Sequence, residues 1–225
     1  MIYKAKYAYT SEDIADAYEK ERFTSWKGKK VDYLEKKSIL DGIKALVGNS
    51  NKQLILDAPS GTGRLSTQLI KQGFRVIAVD ISIEMLKKSE DQYKLRSSPN
   101  FLGYVCCDIE HLPFCNSAFD VVTSLRMMGH LPLDVKGRVL NEFRRISRLG
   151  AVIMFSLDNI FLRFKLWILR MVGFRSKSAM WFPMSHRQAT ALASNYGWDI
   201  LRWYDMVHRI SESRLYVLRP IQPKK

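Results

Sequence analysis

The chain has 225 residues, 47% of them hydrophobic, and carries 36 Lys and Arg against 22 Asp and Glu, a net charge of +14. That length bounds it to one domain with room for an appendage and a substantial core, and three cysteines exclude a disulfide scaffold and suit a reducing compartment. The charge brings nucleic acid, an acidic membrane surface or an anionic substrate into consideration, although a solvated basic surface accounts for it equally well.

The opening MIYKAKYAYT lacks the apolar core of a signal peptide, so a cytosolic protein is expected. Ser11-Glu12-Asp13 opens a predicted helix to about Arg22, with acids in its first turn and bases in its last, as the helix dipole favours. Residues 23–30, FTSWKGKK, break the pattern. A second helix is predicted over 33–47, with Leu34, Ile39, Leu40, Ile43 and Leu46 on one side.

From residue 53 the chain alternates short apolar runs with helical stretches, which argues a parallel sheet wrapped by helices. The first run, 54–56, ends in Asp57 and passes through Pro59, Ser60, Gly61, Thr62 and Gly63 into a helix over 64–72. Small residues there let the backbone turn tightly and approach a ligand without Cβ interference. The second run, 75–79, ends in Asp80, 23 residues after Asp57, near the offset of about 20 at which a carboxylate accepts the hydroxyls of a ribose. The dinucleotide fingerprint G-x-G-x-x-G fits poorly, because Ser66 stands where the third glycine belongs. A helix over 83–93 leads to a third strand, 102–107, that ends in Asp108 and Ile109. Strand 119–124, loop 125–132, helix 135–147 and a fifth strand, 151–157, follow. Right-handed crossovers then place Asp57, Asp80, Asp108 and Ser124 on one edge of the sheet, within reach of a single ligand.

Residues 159–174, NIFLRFKLWILRMVGF, have no uncharged run near the roughly 20 residues of a membrane span. They are apolar nearly all round, so this helix is buried in the core, lies in a membrane interface or covers an apolar pocket. A helix over 187–196, ended by Gly197, and strands over 198–204 and 213–218 complete the pattern. Cys107, His111 and Cys115 are evenly spaced but lack a fourth ligand, and cysteines in an apolar strand act as small hydrophobes. No metal site is expected.

DAPSGTGR, VDIS, CDIEHLPF and AFDVVTSLRMMGHL, in this order and spacing, resemble the class I S-adenosylmethionine-dependent methyltransferases of the small-molecule branch, closely over residues 50–157. The resemblance implies a Rossmann-like, doubly wound α/β fold with a seven-stranded, mostly parallel sheet and an antiparallel last strand. It implies a single domain over 1–225, with a helical cap (1–48), a cofactor-binding core (49–157), a helical insertion (158–185) and C-terminal helix and strands (186–225). Carried over by position, the S-adenosylmethionine contacts fall on Asp57, Gly61 and Gly63 at the methionine end, Asp80 at the ribose, and Asp108 and Ile109 at the adenine, with Ala58, Ile81 and Leu125 beside them. Tyr18 and Arg22 match the segment that folds over the cofactor, and Trp167 lies in the insertion where acceptor specificity is set. Two departures stand out: Pro59 replaces the usual first glycine, and Leu149-Gly150 replaces the proline-glycine pair before the fifth strand.

A sulfonium methyl is already activated, so positioning provides most of the rate and a base is needed only for a hydroxyl or a protonated amine. His130, after the fourth strand, is the best-placed base, with an unperturbed pKa of about 6.5; packing within its loop is the plainer role. The expected activity is methyl transfer to an oxygen or nitrogen of a small, apolar or lipid-like acceptor, with an anionic membrane surface as a further partner. An RNA methyltransferase ranks lower, because Ser124-Leu125-Arg126-Met127 stands where an aromatic catalytic tetrapeptide would be. A non-catalytic binding protein would not need three intact ligand acids. Oligomeric state leaves no mark on the sequence.

Overall fold

A computed structural model of the chain describes residues 25–93, 95–158, 181–205 and 213–222. The helix expected over 11–22 and the insertion over 159–174 lie outside the described residues, and with them Tyr18, Arg22 and Trp167.

In chain order the elements are α1 (Trp26–Val47), β1 (Leu54–Asp57), α2 (Arg64–Lys71), β2 (Arg75–Asp80), α3 (Ile83–Tyr93), β3 (Phe101–Cys106), β4 (Phe119–Ser124), α4 (Leu133–Ile146), β5 (Ser147–Ser156), α5 (His186–Asn195), β6 (Trp198–Asp205) and β7 (Ser213–Pro220). The strands form one seven-stranded sheet in the order β3-β2-β1-β4-β5-β7-β6. The first five run parallel, and β7 enters antiparallel between β5 and β6. The apolar runs of the sequence are the central strands because both of their faces are covered. Ile55, Val121 and Val152 pack under α1 and α2 with Ile39, Ile43 and Leu69, while Leu56, Val122 and Ile153 pack with Val139, Leu140 and Phe143 of α4 and Leu192 of α5.

Strand order reverses between β1 and β4, which opens a crevice at their carboxyl ends. Asp57, Asp80 and Ser124 all end their strands on that edge, as the alternation of elements predicts.

Two expectations need correction. Residues 26–30 do not break the helical pattern, since α1 starts at Trp26. The Ser25 hydroxyl accepts the Gly28 amide at 3.1 Å, and such a cap satisfies one of the orphan donors of a first turn. The fifth strand also starts four residues early, at Ser147, so Leu149-Gly150 belongs to it and does not precede it. Gly150 pairs with Val121 on one side, and a Cβ there would collide with the Leu218 carbonyl and the Leu46 side chain on the other.

Candidate functional site

The crevice at the β1/β4 switch is a cavity lined by Asp57, Pro59, Ser60, Gly61, Thr62, Arg64, Leu65, Asp80, Ile81, Met85, Asp108, Ile109, Leu125, Arg126, Met127 and His130. Asp57 closes β1 and is buried. It accepts the Ser66 hydroxyl at 2.6 Å and the Thr123 hydroxyl at 3.4 Å. Burial pushes its carboxyl up to about 7 against these two hydrogen bonds, and the Asp80 charge adds to the rise.

After a cis Ala58–Pro59 bond the loop turns back through two glycines in left-handed conformation, Gly61 at φ 53° and Gly63 at φ 78°. Gly63 caps α2, and a Cβ on it would lie 2.7 Å from that of Ser89, so this position admits only glycine without displacing α3. Asp80 holds the loop in place: one carboxylate oxygen accepts the Gly61 amide at 2.8 Å and the other the Ser82 amide at 3.0 Å. Burial raises the Asp80 pKa, opposed by the amides of Ser82, Gly61 and Ile81. Asp108 accepts the Glu110 amide at 3.0 Å and sits across the cavity with Ile109.

The cations of the cavity come from two loops. Arg64 opens α2 and Arg126 follows β4 with φ 61°, a left-handed conformation that costs a non-glycine residue about 1–2 kcal/mol. Both are held by α1. The Glu35 carboxylate, 2% exposed, pairs with Arg126 through Nη2 at 2.5 Å and Nε at 3.0 Å and receives Arg64 Nη2 at 3.4 Å. Asp32, one turn earlier, also pairs with Arg64.

His130 ends the short 3-10 turn Met128–His130, and its amide donates to the Met127 carbonyl at 2.9 Å. Residues 181–184 run beside that turn: the Phe182 amide donates to the Gly129 carbonyl at 2.7 Å, and the Met184 amide to Ser156 at 3.1 Å. Lys136, buried on α4, donates to the Phe182 carbonyl at 2.5 Å, and burial lowers its ammonium pKa to about 8.

Of the residues singled out from sequence, Asp57, Gly61, Asp80, Ile81, Asp108, Ile109, Leu125 and His130 line the cavity. Ala58 and Gly63 do not: Ala58 is fully buried in the core and donates its amide to the Thr123 carbonyl at 2.9 Å, while Gly63 shapes the loop from behind. Sequence reasoning missed Arg64, Arg126 and Met85 as lining residues. Arg64 had a signal, being the first residue after the glycine loop; Arg126 and Met85 had none. His111 is exposed, and His186 bonds the Tyr216 hydroxyl at 2.7 Å, away from the cavity lining.

S-adenosylmethionine fits these residues. Each Asp80 oxygen holds one amide and keeps a lone pair for a ribose hydroxyl. The Ser60 hydroxyl is buried on the lining without a partner, a polar atom that a ligand would satisfy. Three acids suit the ribose and the cationic centres, and Arg64 and Arg126 suit the one carboxylate.

Residues 55–150 match the family model described as a methyltransferase domain. The chain is 38% identical over 111 residues to a malonyl-[acyl-carrier protein] O-methyltransferase of Hamiltonella defensa subsp. Acyrthosiphon pisum (strain 5AT), covering 49% of this chain and 40% of that protein. It is 36% identical over 106 residues to the ubiquinone/menaquinone biosynthesis C-methyltransferase UbiE of Ralstonia pickettii (strain 12J), covering 44% and 41%. These matches span less than half the length of either relative. The whole fold is similar to the magnesium protoporphyrin IX methyltransferase of Synechocystis PCC 6803 with bound SAH, at TM-score 0.73, 15% identity and coverage of 94% and 96%.

Proposed function

We propose that this chain, whose residues 55–150 match a methyltransferase-domain model, is a class I S-adenosylmethionine-dependent methyltransferase that moves the cofactor's methyl group to an oxygen or nitrogen of a small, apolar or amphipathic acceptor. The observation that carries this reading is the convergence of three acids, Asp57 and Asp80 at the ends of their strands and Asp108 two residues past β3, on one cavity with Gly61 and the two arginines. The cofactor supplies a methyl on a sulfonium, and the protein's part is to bind, orient and exclude water.

In this reading Asp80 accepts the ribose hydroxyls, Ser60 and the loop amides meet the amino-acid tail, and Ile81, Met85 and Ile109 border the adenine. His130 removes a proton from the acceptor when that acceptor is a hydroxyl or a protonated amine. On sequence grounds Tyr18, Arg22 and Trp167 are proposed to line the acceptor side. By their names, one relative is an O-methyltransferase of malonyl-[acyl-carrier protein] and the other a C-methyltransferase of ubiquinone and menaquinone biosynthesis, which favours an acceptor other than RNA here. An anionic membrane surface is the further partner that the +14 charge suits.

The test is methyl transfer from labelled cofactor to lipid and aqueous extract fractions, with RNA kept separate. Label in an extractable small molecule is expected. Label confined to RNA would overturn the acceptor class, and tight cofactor binding with no transfer to any fraction would leave a binding protein.

A further inference from the structure

We infer that the outward face of α1 is a docking surface for an anionic lipid membrane. Trp26 and Tyr33, 77% and 64% exposed, are the two most exposed large hydrophobic side chains among the described residues. They are not scattered. The exposed residues of α1 with described side chains are Trp26, Lys29, Lys30, Tyr33, Lys37 and Lys44, and five of them follow the spacing i, i+4, i+7, i+11 and i+18. At 3.6 residues per turn this is a single straight stripe, about 27 Å long at a rise of 1.5 Å per residue.

The stripe contains two aromatic residues, three lysines and no acid, and Lys29 lies beside it. A solvated helix face ordinarily mixes both signs of charge and gains from i,i+4 pairs. Here two of the helix's three acids are turned away, Glu35 buried against Arg126 and Asp32 paired with Arg64 and, at 2.8 Å, with Lys36, while Asp41 is half-buried about 60° round the helix from the stripe. Lys30 lies 5.4 Å from the Trp26 ring centre, so the cation and the ring share one patch. Aromatic side chains between lysines on an exposed helix match an anionic membrane interface, where rings settle at head-group level and ammonium groups meet lipid phosphate.

Nucleic acid would meet the same charge, but single strands are held in basic grooves that track the backbone and stack bases on aromatic platforms. This stripe is the convex back of a helix whose other side, Ile39, Ile43 and Gly42, is packed on the sheet against Val152 and Val217. A flat charged surface fits it better. The same turns of α1 hold the two cavity arginines, so a docked helix would bring the cofactor site to a membrane-borne acceptor. The assignment gives the membrane partner proposed above its contact surface, and it does not depend on methyl transfer.

The experiment is sedimentation of the full chain with vesicles of phosphatidylcholine alone and of equimolar phosphatidylcholine and phosphatidylglycerol, at low and high salt. Binding to the anionic vesicles that weakens with salt is expected. Lys30→Gln with Lys37→Gln should weaken it about 25-fold, at about fivefold per lysine, and Trp26→Ala with Tyr33→Ala by about tenfold or more. Lys52→Gln with Lys71→Gln removes the same charge from exposed positions before β1 and at the end of α2 and should leave it unchanged. Calorimetric titration of every variant with S-adenosylhomocysteine reports the fold and the cofactor reading separately. No binding to anionic vesicles at low salt, equal loss in the Lys52/Lys71 variant, or tighter binding to single-stranded RNA than to vesicles would each overturn the assignment.

Discussion

The Glu35 carboxylate meets Arg126 on both of its oxygens, 91 residues away in sequence, and so ties α1 to the exit of β4. The bond holds a guanidinium at the cavity wall and steadies a left-handed backbone that Arg126 would not choose alone. Through Arg64 the same carboxylate reaches the helix that follows the glycine loop. One buried acid therefore holds an arginine on each of two sides of the cavity.

Glu35→Ala leaves Arg126 without its acid and Arg64 with Asp32 alone, and breaking a buried pair in this way costs about 3–5 kcal/mol. The expected outcome is a markedly lower melting temperature together with weaker S-adenosylhomocysteine binding. Glu35→Gln keeps one acceptor and should recover part of both. Calorimetry on the two variants checks this; cofactor affinity unchanged in Glu35→Ala would remove Glu35 from the site.

Asp80→Ala removes the acceptor of the Gly61 amide and the group assigned to the ribose. Losing charge-assisted hydrogen bonds of about 1.5–3 kcal/mol predicts a fall in cofactor affinity of about 10- to 100-fold. A folded variant that binds S-adenosylhomocysteine as tightly as the parent protein refutes the ribose assignment.

Asp57 gives a pH dependence with a definite sign. Its folded pKa, about 7, lies above the ordinary 3.8, so the folded state holds the proton more tightly than the unfolded chain. The stability this provides is complete below about pH 4 and is lost as pH rises through 7, by up to about 4 kcal/mol at 1.36 kcal/mol per unit. Asp57→Asn should flatten the melting temperature between pH 4 and pH 8, a range that a set of thermal melts covers. The same slope in both proteins would mean that another group titrates there.

His130→Ala should lower turnover about 100-fold or more on a hydroxyl acceptor while cofactor affinity stays nearly intact. Single-turnover rates beside calorimetric titration separate the two quantities. Equal losses in both would assign His130 to support of the turn Met128–His130.

The strand-end acids were legible because their signal is local: an apolar run ending in Asp57 or Asp80 beside small residues is written within a dozen positions. Residues 26–30 read as a break because Gly28 stands among three lysines, whereas Ser25 three residues before Gly28 carries the cap. Leu149-Gly150 stands before the fifth strand by analogy with a proline-glycine pair, yet Gly150 lies within that strand, and its role depends on the approach of β7 and Leu46 from later and earlier in the chain. Lys136 shares a helical face with Val139, Leu140 and Phe143, yet a lysine by its type gives no sign of burial. In the fold its ammonium donates to the Phe182 carbonyl, and burial lowers its pKa.

By itself the sequence determined the sheet, its order of strands and helices, the glycine loop and the acids at its edge. Periodicity and punctuation are properties of neighbouring residues and survive in one dimension. What only the tertiary structure decided is which charges meet. Asp32 and Glu35 look no different from any acids on a lysine-rich helix until α1 packs on the sheet, because burial and pairing depend on elements far apart in sequence. Once that packing turns Asp32 and Glu35 inward, Trp26, Lys30, Tyr33 and Lys37 are left outside as a face of one charge.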